Sequence, residues 1–173
     1  MRDKAAFKWS ERCRPTFIRV RYLNNSRRGL LGGAMSEPRV AGLNHVTLAV
    51  ADLDRSVSFY QDTLGFRLHA IWKDGAYLEA GALWLCLSLD PNAKHARRDD
   101  YTHLALDVAP PHFEALAAQV RTTAPIWKEN RSEGASLYFL DPDGHKLELH
   151  VGSLASRLQH YRDYPSNGRT LLD

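Results

Sequence analysis

The chain has 173 residues, 44% hydrophobic and 25% charged, the composition of one ordinary globular domain and too short for two of typical size. No apolar run approaches the roughly 20 residues needed to span a bilayer. Only Cys13 and Cys86 are present, far apart, which argues against a disulfide framework and fits a reducing cytoplasm.

The net charge of +3 is unevenly placed: residues 1–34 hold nine Lys/Arg against Asp3 and Glu11, whereas the remainder holds 14 basic and 18 acidic residues. The basic character therefore belongs to a leader, and no nucleic-acid surface or membrane face is expected on the folded part. An Arg-rich, acid-poor leader can be a targeting segment or a nucleic-acid arm, but it lacks the continuous apolar stretch of a secretory signal. The plainer expectation is a poorly ordered leader with Met35 as the natural start. Residues 35–173 then form a single domain: module one at about 42–89, module two at about 100–151, and a C-terminal helix and tail at 153–173.

Residues 43–50 read as a strand whose period of two puts His45 and Thr47 on one face. Asp52 or Asp54 can cap a helix reaching about Leu64, with Val57, Tyr60 and Leu64 at helical spacing and Gly65 as its stop. Three short strands are predicted at 66–72, 76–79 and 83–89, separated by Asp74-Gly75 and Gly81, and a polar loop at 90–99 follows. The order then repeats. A strand over 103–108 leads to a helix opened by Pro110-Pro111 and running to about Arg121, then to strands at 126–128, 136–140 and 145–151. Residues 130–134 form a polar turn, and Asp141-Pro142-Asp143-Gly144 is a strong turn signal. A last helix covers about 154–161. Each unit is βαβββ, an α+β architecture in which neither sheet is expected to bury its apolar face without a partner.

The repeat carries the chemistry. GLNHVTLAV and DYTHLALDV place His45 and His103 at equivalent points, and HKLELHV offers Glu148 on a strand after the tight turn. Singly, each is an ordinary strand histidine or a solvent-facing carboxylate. At matched places in a duplicated frame, two imidazoles and a carboxylate make an open site for a divalent ion such as Mn, Fe or Zn. His150 shares a strand face with Glu148 and is the alternative ligand. Lys128, Arg131, Ser132, Ser136 and Tyr138 offer cationic and hydroxyl donors suited to an anionic oxyacid, although the same stretch also reads as a solvated hairpin turn. Cys86 lies in the apolar run ALWLCLS and is expected to pack, not to react.

The stretches GLNHVTLAVADLDRSVSFYQDTLGFRLHA, GAYLEAGALWLCLS, DYTH, WKENRSEGASLYFLDPDGHKLELHVG and the terminal SRL resemble the glutathione-dependent fosfomycin-resistance enzymes of the vicinal oxygen chelate superfamily, over about residues 43–161. The resemblance implies two βαβββ modules paired across a homodimer into a cupped sheet around a metal site. It implies opening of the fosfomycin epoxide by glutathione, with Mn2+ bound by His45 of one subunit and by His103 and Glu148 of the other. Thr47, Lys128, Ser132, Tyr138 and Arg157 fall where the family grips the phosphonate. Ser132, Glu133, Gly134 and Ser136 match its K+ loop. Tyr77, Trp84 and Cys86 match cavity-lining residues, with Thr47 and Tyr77 as the catalytic candidates and Tyr77 assisting the thiol.

Rival expectations stay open. Water or another thiol can replace glutathione, with Glu79 or Asp74 as base for hydration. Ring cleavage or isomerisation would use the metal set alone, and a metal-free binding protein would need neither.

Overall fold

The computed structural model describes residues 40–93, 99–131, 133–165 and 168–172. The leader at 1–34 and Ser132 lie outside the described residues.

The first module begins with β1 (His45–Val50), whose side chains alternate between exposed and buried as the period-two pattern predicts. Asp52 caps α1 (Leu53–Ser58) by accepting from the Arg55 backbone N–H at 3.0 Å, so Asp52 and not Asp54 is the cap. The helix does not run on as plain α to Leu64. Phe59–Thr63 form one wider π turn that brings Phe59, Tyr60 and Thr63 all into the interior. Gly65, at φ +73°, ends it. Strands β2 (Arg67–Trp72), β3 (Gly75–Ala80) and β4 (Leu83–Leu89) follow.

The second module has β5 (Leu104–Asp107), a 3-10 turn at Pro110–His112 leading into α2 (Phe113–Thr123), then β6 (Ile126–Lys128), β7 (Ser136–Leu140) and β8 (Lys146–His150). The proline pair therefore opens a 3-10 turn, and the α-helix starts after it. His103 sits just before β5 and His145 just before β8, each one residue outside the strand assigned to it from the pattern. α3 (Leu154–Asp163) closes the order behind a Ser153/Ser156 capping box and has no buried residue.

The two sheets share one topology, β1-β4-β3-β2 and β5-β8-β7-β6, with the first strand of each parallel to the last and the remaining pairs antiparallel. β1 and β5 are thus edge strands. A single apolar core joins both modules, with Leu48, Val50, Leu78, Leu85 and Leu87 from the first sheet and Leu137, Phe139, Leu147 and Leu149 from the second. Val57, Tyr60, Phe113, Ala117 and Val120 come from the helices, the last three at i, i+4 and i+7 on α2.

The turn after β7 does more than reverse the chain. Asp143, buried, accepts from the Ala51 N–H at 3.0 Å, Ser56 Oγ at 2.7 Å and Arg55 Nη2 at 2.9 Å, all from the start of α1 or just before it. Asp141, equally buried, accepts from Tyr60 Oη at 2.9 Å, and His145 Nδ1 stands 2.8 Å from the same oxygen. Burial, with the Asp141 charge as the next cause, raises the Tyr60 hydroxyl pKa well above 10, so it remains a donor. Two carboxylates of the second module therefore lock the helix of the first.

Candidate metal centre

Module one presents an exposed face whose rows follow from register. His45 of β1 lies beside Trp84 of β4, which faces Glu79 of β3. One row on, Thr47 lies beside Cys86, which faces Tyr77. The rings form a chain: His45 to Trp84 at 4.7 Å, Trp84 to Tyr77 at 5.2 Å, and Tyr77 to Trp72 at 4.7 Å. Trp72, Tyr77 and Trp84 are 38–45% exposed, an aromatic floor open to solvent. His45 Nδ1 stands 2.8 Å from Asn44 Oδ1, a contact that orients the ring.

Cys86 is buried under this face. Burial raises its thiol pKa above the ordinary value, against a smaller lowering by its hydrogen bond with Thr47. A protonated, buried thiol is a packing group, as its apolar strand predicts. Beside it a cleft of about 260 Å³ is lined by His69, Tyr77, Leu78, Glu79, Ala82 and Trp84. His69 Nε2 and Glu79 Oε2 stand 2.8 Å apart there, both half-exposed. Asp74 is not among the residues lining this cleft.

Module two supplies the donor pair. Glu148, 6% exposed on β8, directs Oε2 to within 3.0 Å of His103 Nε2. His103 Nδ1 lies 2.9 Å from the Tyr101 carbonyl oxygen, which can only accept, so Nδ1 is the protonated nitrogen. His103 Nε2 thus faces a carboxylate oxygen across 3.0 Å, two ligand atoms side by side. Two donors at right angles, each about 2.1 Å from one divalent ion, stand roughly 3.0 Å apart. The pair therefore fits a divalent cation. Among the described residues, no three His, Cys, Asp or Glu are arranged to hold a metal, because His45 belongs to the other sheet. The chain brings together two of the three expected ligands and leaves the third apart.

Around His103 stand Tyr101, Trp127 and Tyr138, with ring separations from it of 5.0, 6.0 and 5.9 Å. Lys128 pairs with Tyr138 in register, which in turn faces Glu148. Its ammonium donates to Tyr101 Oη and lies 4.5 Å from the Tyr101 and Tyr138 ring centres. The Tyr101 hydrogen bond, followed by the charges nearby, raises the Lys128 pKa above its ordinary value, against a lowering by partial burial. Lys146, buried, lies 4.8 Å from the Trp127 ring centre and donates to the Asp100 carbonyl. Sequence reasoning passed over Tyr101, Trp127 and Lys146. The period-two spacing of Tyr101 before His103 was the available signal for the first, whereas the other two depend on tertiary packing.

The expected potassium loop is held by Asn130, whose Nδ2 donates to the Gly134 carbonyl at 2.8 Å. Gly134 takes φ +85°, and a Cβ there would meet the Val151 carbonyl at 2.8 Å. Arg157 of α3 reaches Glu133, with Nε 3.2 Å from Oε2. That oxygen is wholly buried and has no aligned hydrogen-bond donor among the described residues. Beside the Arg157 contact, this buried oxygen keeps acceptor capacity that a hard cation could use. Ser136 lies at the loop's end, its Oγ 2.8 Å from His150 Nδ1.

The Glyoxalase/Bleomycin resistance protein/Dioxygenase superfamily model matches residues 42–149. A glutathione transferase, FosA of Serratia marcescens, is 55% identical over 129 residues, covering 73% of this chain and 92% of the relative. A metallothiol transferase, FosB of Shouchella clausii, is 37% identical, covering 70% and 88%. A crystal structure of the fosfomycin resistance protein FosX of Listeria monocytogenes, complexed with Mn(II) and sulfate, superposes with a TM-score of 0.63 at 26% identity, covering 71% and 99%.

Proposed function

The chain belongs to the Glyoxalase/Bleomycin resistance protein/Dioxygenase superfamily, and on that premise we propose that it is a metal-dependent glutathione transferase that inactivates fosfomycin by opening its epoxide. The observation that carries the reading is the His103–Glu148 pair, an imidazole nitrogen 3.0 Å from a carboxylate oxygen, with Tyr138 and Lys128 in the same row as Glu148. Sheet topology supports a homodimer with shared sites. β1 and β5 are both edges, and an apolar groove of about 470 Å³ beside them is lined by Leu43, Leu83, Leu106 and Leu149. A second copy docking there supplies His45 to the His103–Glu148 pair. Mn2+ is the cation of choice, as in the FosX complex, and a bound divalent ion supplies Lewis acidity to the epoxide oxygen.

The chain's own residues hold and orient. Lys128, Tyr138, Thr47 and Arg157, with Ser132, bind the phosphonate, and Lys128 remains cationic because its pKa is raised. The Ser132, Glu133, Gly134 and Ser136 loop holds K+, which adds positive charge beside the same anion. Trp84 and Tyr77 form the apolar floor on which the thiol approaches. The Tyr77 hydroxyl donates a hydrogen bond to the thiolate, and Thr47 fixes the substrate on the His45 face. The sulfur of glutathione forms a bond to an epoxide carbon, that carbon's C–O bond breaks, and the resulting oxyanion takes one proton. Cys86, protonated and buried, takes no part. Among the described residues no helix is long and apolar enough to cross a membrane, and a cytoplasmic location suits the glutathione requirement.

Purified protein, Mn2+, K+ and fosfomycin, with and without glutathione and followed by mass spectrometry, test this reading. A product heavier by one glutathione is expected. A product heavier by one water, formed without glutathione, would replace transfer by hydration, with Glu79 as the candidate base.

A further inference from the structure

We propose that His150 is a positioning residue that fixes the Glu148 carboxylate for the divalent cation and ties it to the 133–136 loop. The inference rests on the metal-site reading above and concerns a residue to which that reading gives no task. Glu148 and His150 share one face of β8, opposite Tyr138 and Ser136 of β7. His150 Nδ1 stands 2.8 Å from Ser136 Oγ and 3.4 Å from Glu148 Oε1. Nδ1 thus lies between the Ser136 hydroxyl and the Glu148 carboxylate, within reach of both. The two oxygens of Glu148 then divide their work, Oε2 toward His103 and Oε1 toward the His150 anchor.

The ring is seated by its surroundings. A Cβ at Gly134 would lie 3.2 Å from His150 Cε1, and one at Gly152 would lie 2.8 Å from Nε2. Both glycines take positive φ, +85° and +153°, so glycine meets the backbone requirement and the space requirement together. The backbone on either side is also pinned: the His150 carbonyl accepts from Val108 N–H at 3.0 Å, and Val151 N–H donates to the Ala135 carbonyl at 2.9 Å. Loop and imidazole are in direct contact, so a cation that orders the loop also restricts the ring holding Glu148.

The test uses the full chain and three substitutions: His150→Phe, which keeps the ring outline, His150→Asn, which keeps a nitrogen near Nδ1, and Ser136→Ala. Mn2+ dissociation constants come from the electron paramagnetic resonance signal of free Mn2+, with thermal melts run in parallel. Phe should weaken Mn2+ binding about 10- to 100-fold, while Asn should stay within about threefold of wild type. Ser136→Ala should weaken it by a smaller factor and tests the same anchor if Phe fails to fold. In the wild type, exchanging Na+ for K+ should alter the bound-Mn2+ spectrum, and in His150→Phe it should not. Equal Mn2+ affinity in folded Phe and wild type would overturn the proposal, as would equal weakening by Phe and Asn. So would a wild-type spectrum indifferent to K+. None of these readouts involves fosfomycin: a wild type that binds Mn2+ yet leaves the drug unchanged overturns the proposed activity alone. A wild type that binds no Mn2+ overturns both.

Discussion

Replacing Asp143 by Ala should unfold the domain far more readily than its place in a surface turn suggests. The carboxylate is 3% exposed and accepts from Ala51 N–H, Ser56 Oγ and Arg55 Nη2. Ser56 is itself 0% exposed, so truncation strands its hydroxyl and leaves the Ala51 amide without that acceptor. Each stranded buried donor costs about 1–3 kcal/mol. The half-exposed Arg55 adds less than about 1 kcal/mol after solvent screening. The total is about 2–7 kcal/mol, which lowers the melting temperature on the order of 10 °C for a chain of this size. Urea unfolding at fixed protein concentration measures it, with Ser56→Ala and the double variant closing a cycle. Ser56→Ala should recover part of the loss in the Asp143→Ala background, a coupling of about 1 kcal/mol or more. A loss below about 1 kcal/mol, or strict additivity, would refute the claim that this turn locks the modules together.

Four further outcomes follow from the site. Lys128→Ala should lower kcat/KM for fosfomycin by about 100-fold, and Tyr101→Phe by less than about tenfold, in steady-state assays, since the first removes a charge and the second one hydrogen bond to it. Because the Lys128 pKa is raised, its protonation supports the folded state fully below the ordinary lysine value of 10.5, and that support fades only as pH climbs through the higher folded value. Activity between pH 7 and 9 should therefore show no loss assignable to Lys128, and a Lys128-dependent fall in that window would contradict its environment. Glu133→Gln should raise the K+ concentration for half-maximal activity by about tenfold while leaving Mn2+ affinity within about twofold. Cys86→Ala should keep kcat within about threefold, and the native thiol should react slowly with a disulfide reagent at pH 8, because its pKa lies above the usual range.

Much of the fold was legible because local rules and tertiary structure agree. The period of two along His45–Val50, the Asp52 cap and the Gly65 stop each act within a few residues, so sequence carries them. The repeat of His45 and His103 made the two-module plan readable, and the matched superfamily and the shared sheet order agree with it. Other features depend on partners distant in the chain. Asp141 and Asp143 read as turn residues, yet their hydrogen bonds reach Tyr60 and Ser56 across more than 80 positions. The π turn at Phe59–Thr63 arises because three residues there are all drawn inside, which α-helical spacing does not anticipate. His150 looked like a competing ligand, since strand period alone cannot separate a group that binds the cation from one that holds its ligand. The placing of Lys146 against Trp127 left no mark on the local pattern.

Thiol transfer is decided by 31P NMR of fosfomycin incubated with the purified chain, Mn2+ and K+, with and without glutathione. A new phosphonate resonance is expected only in the tube containing glutathione, abolished by Glu148→Gln. A new resonance without glutathione, or none in either tube while Mn2+ is bound, would contradict thiol transfer.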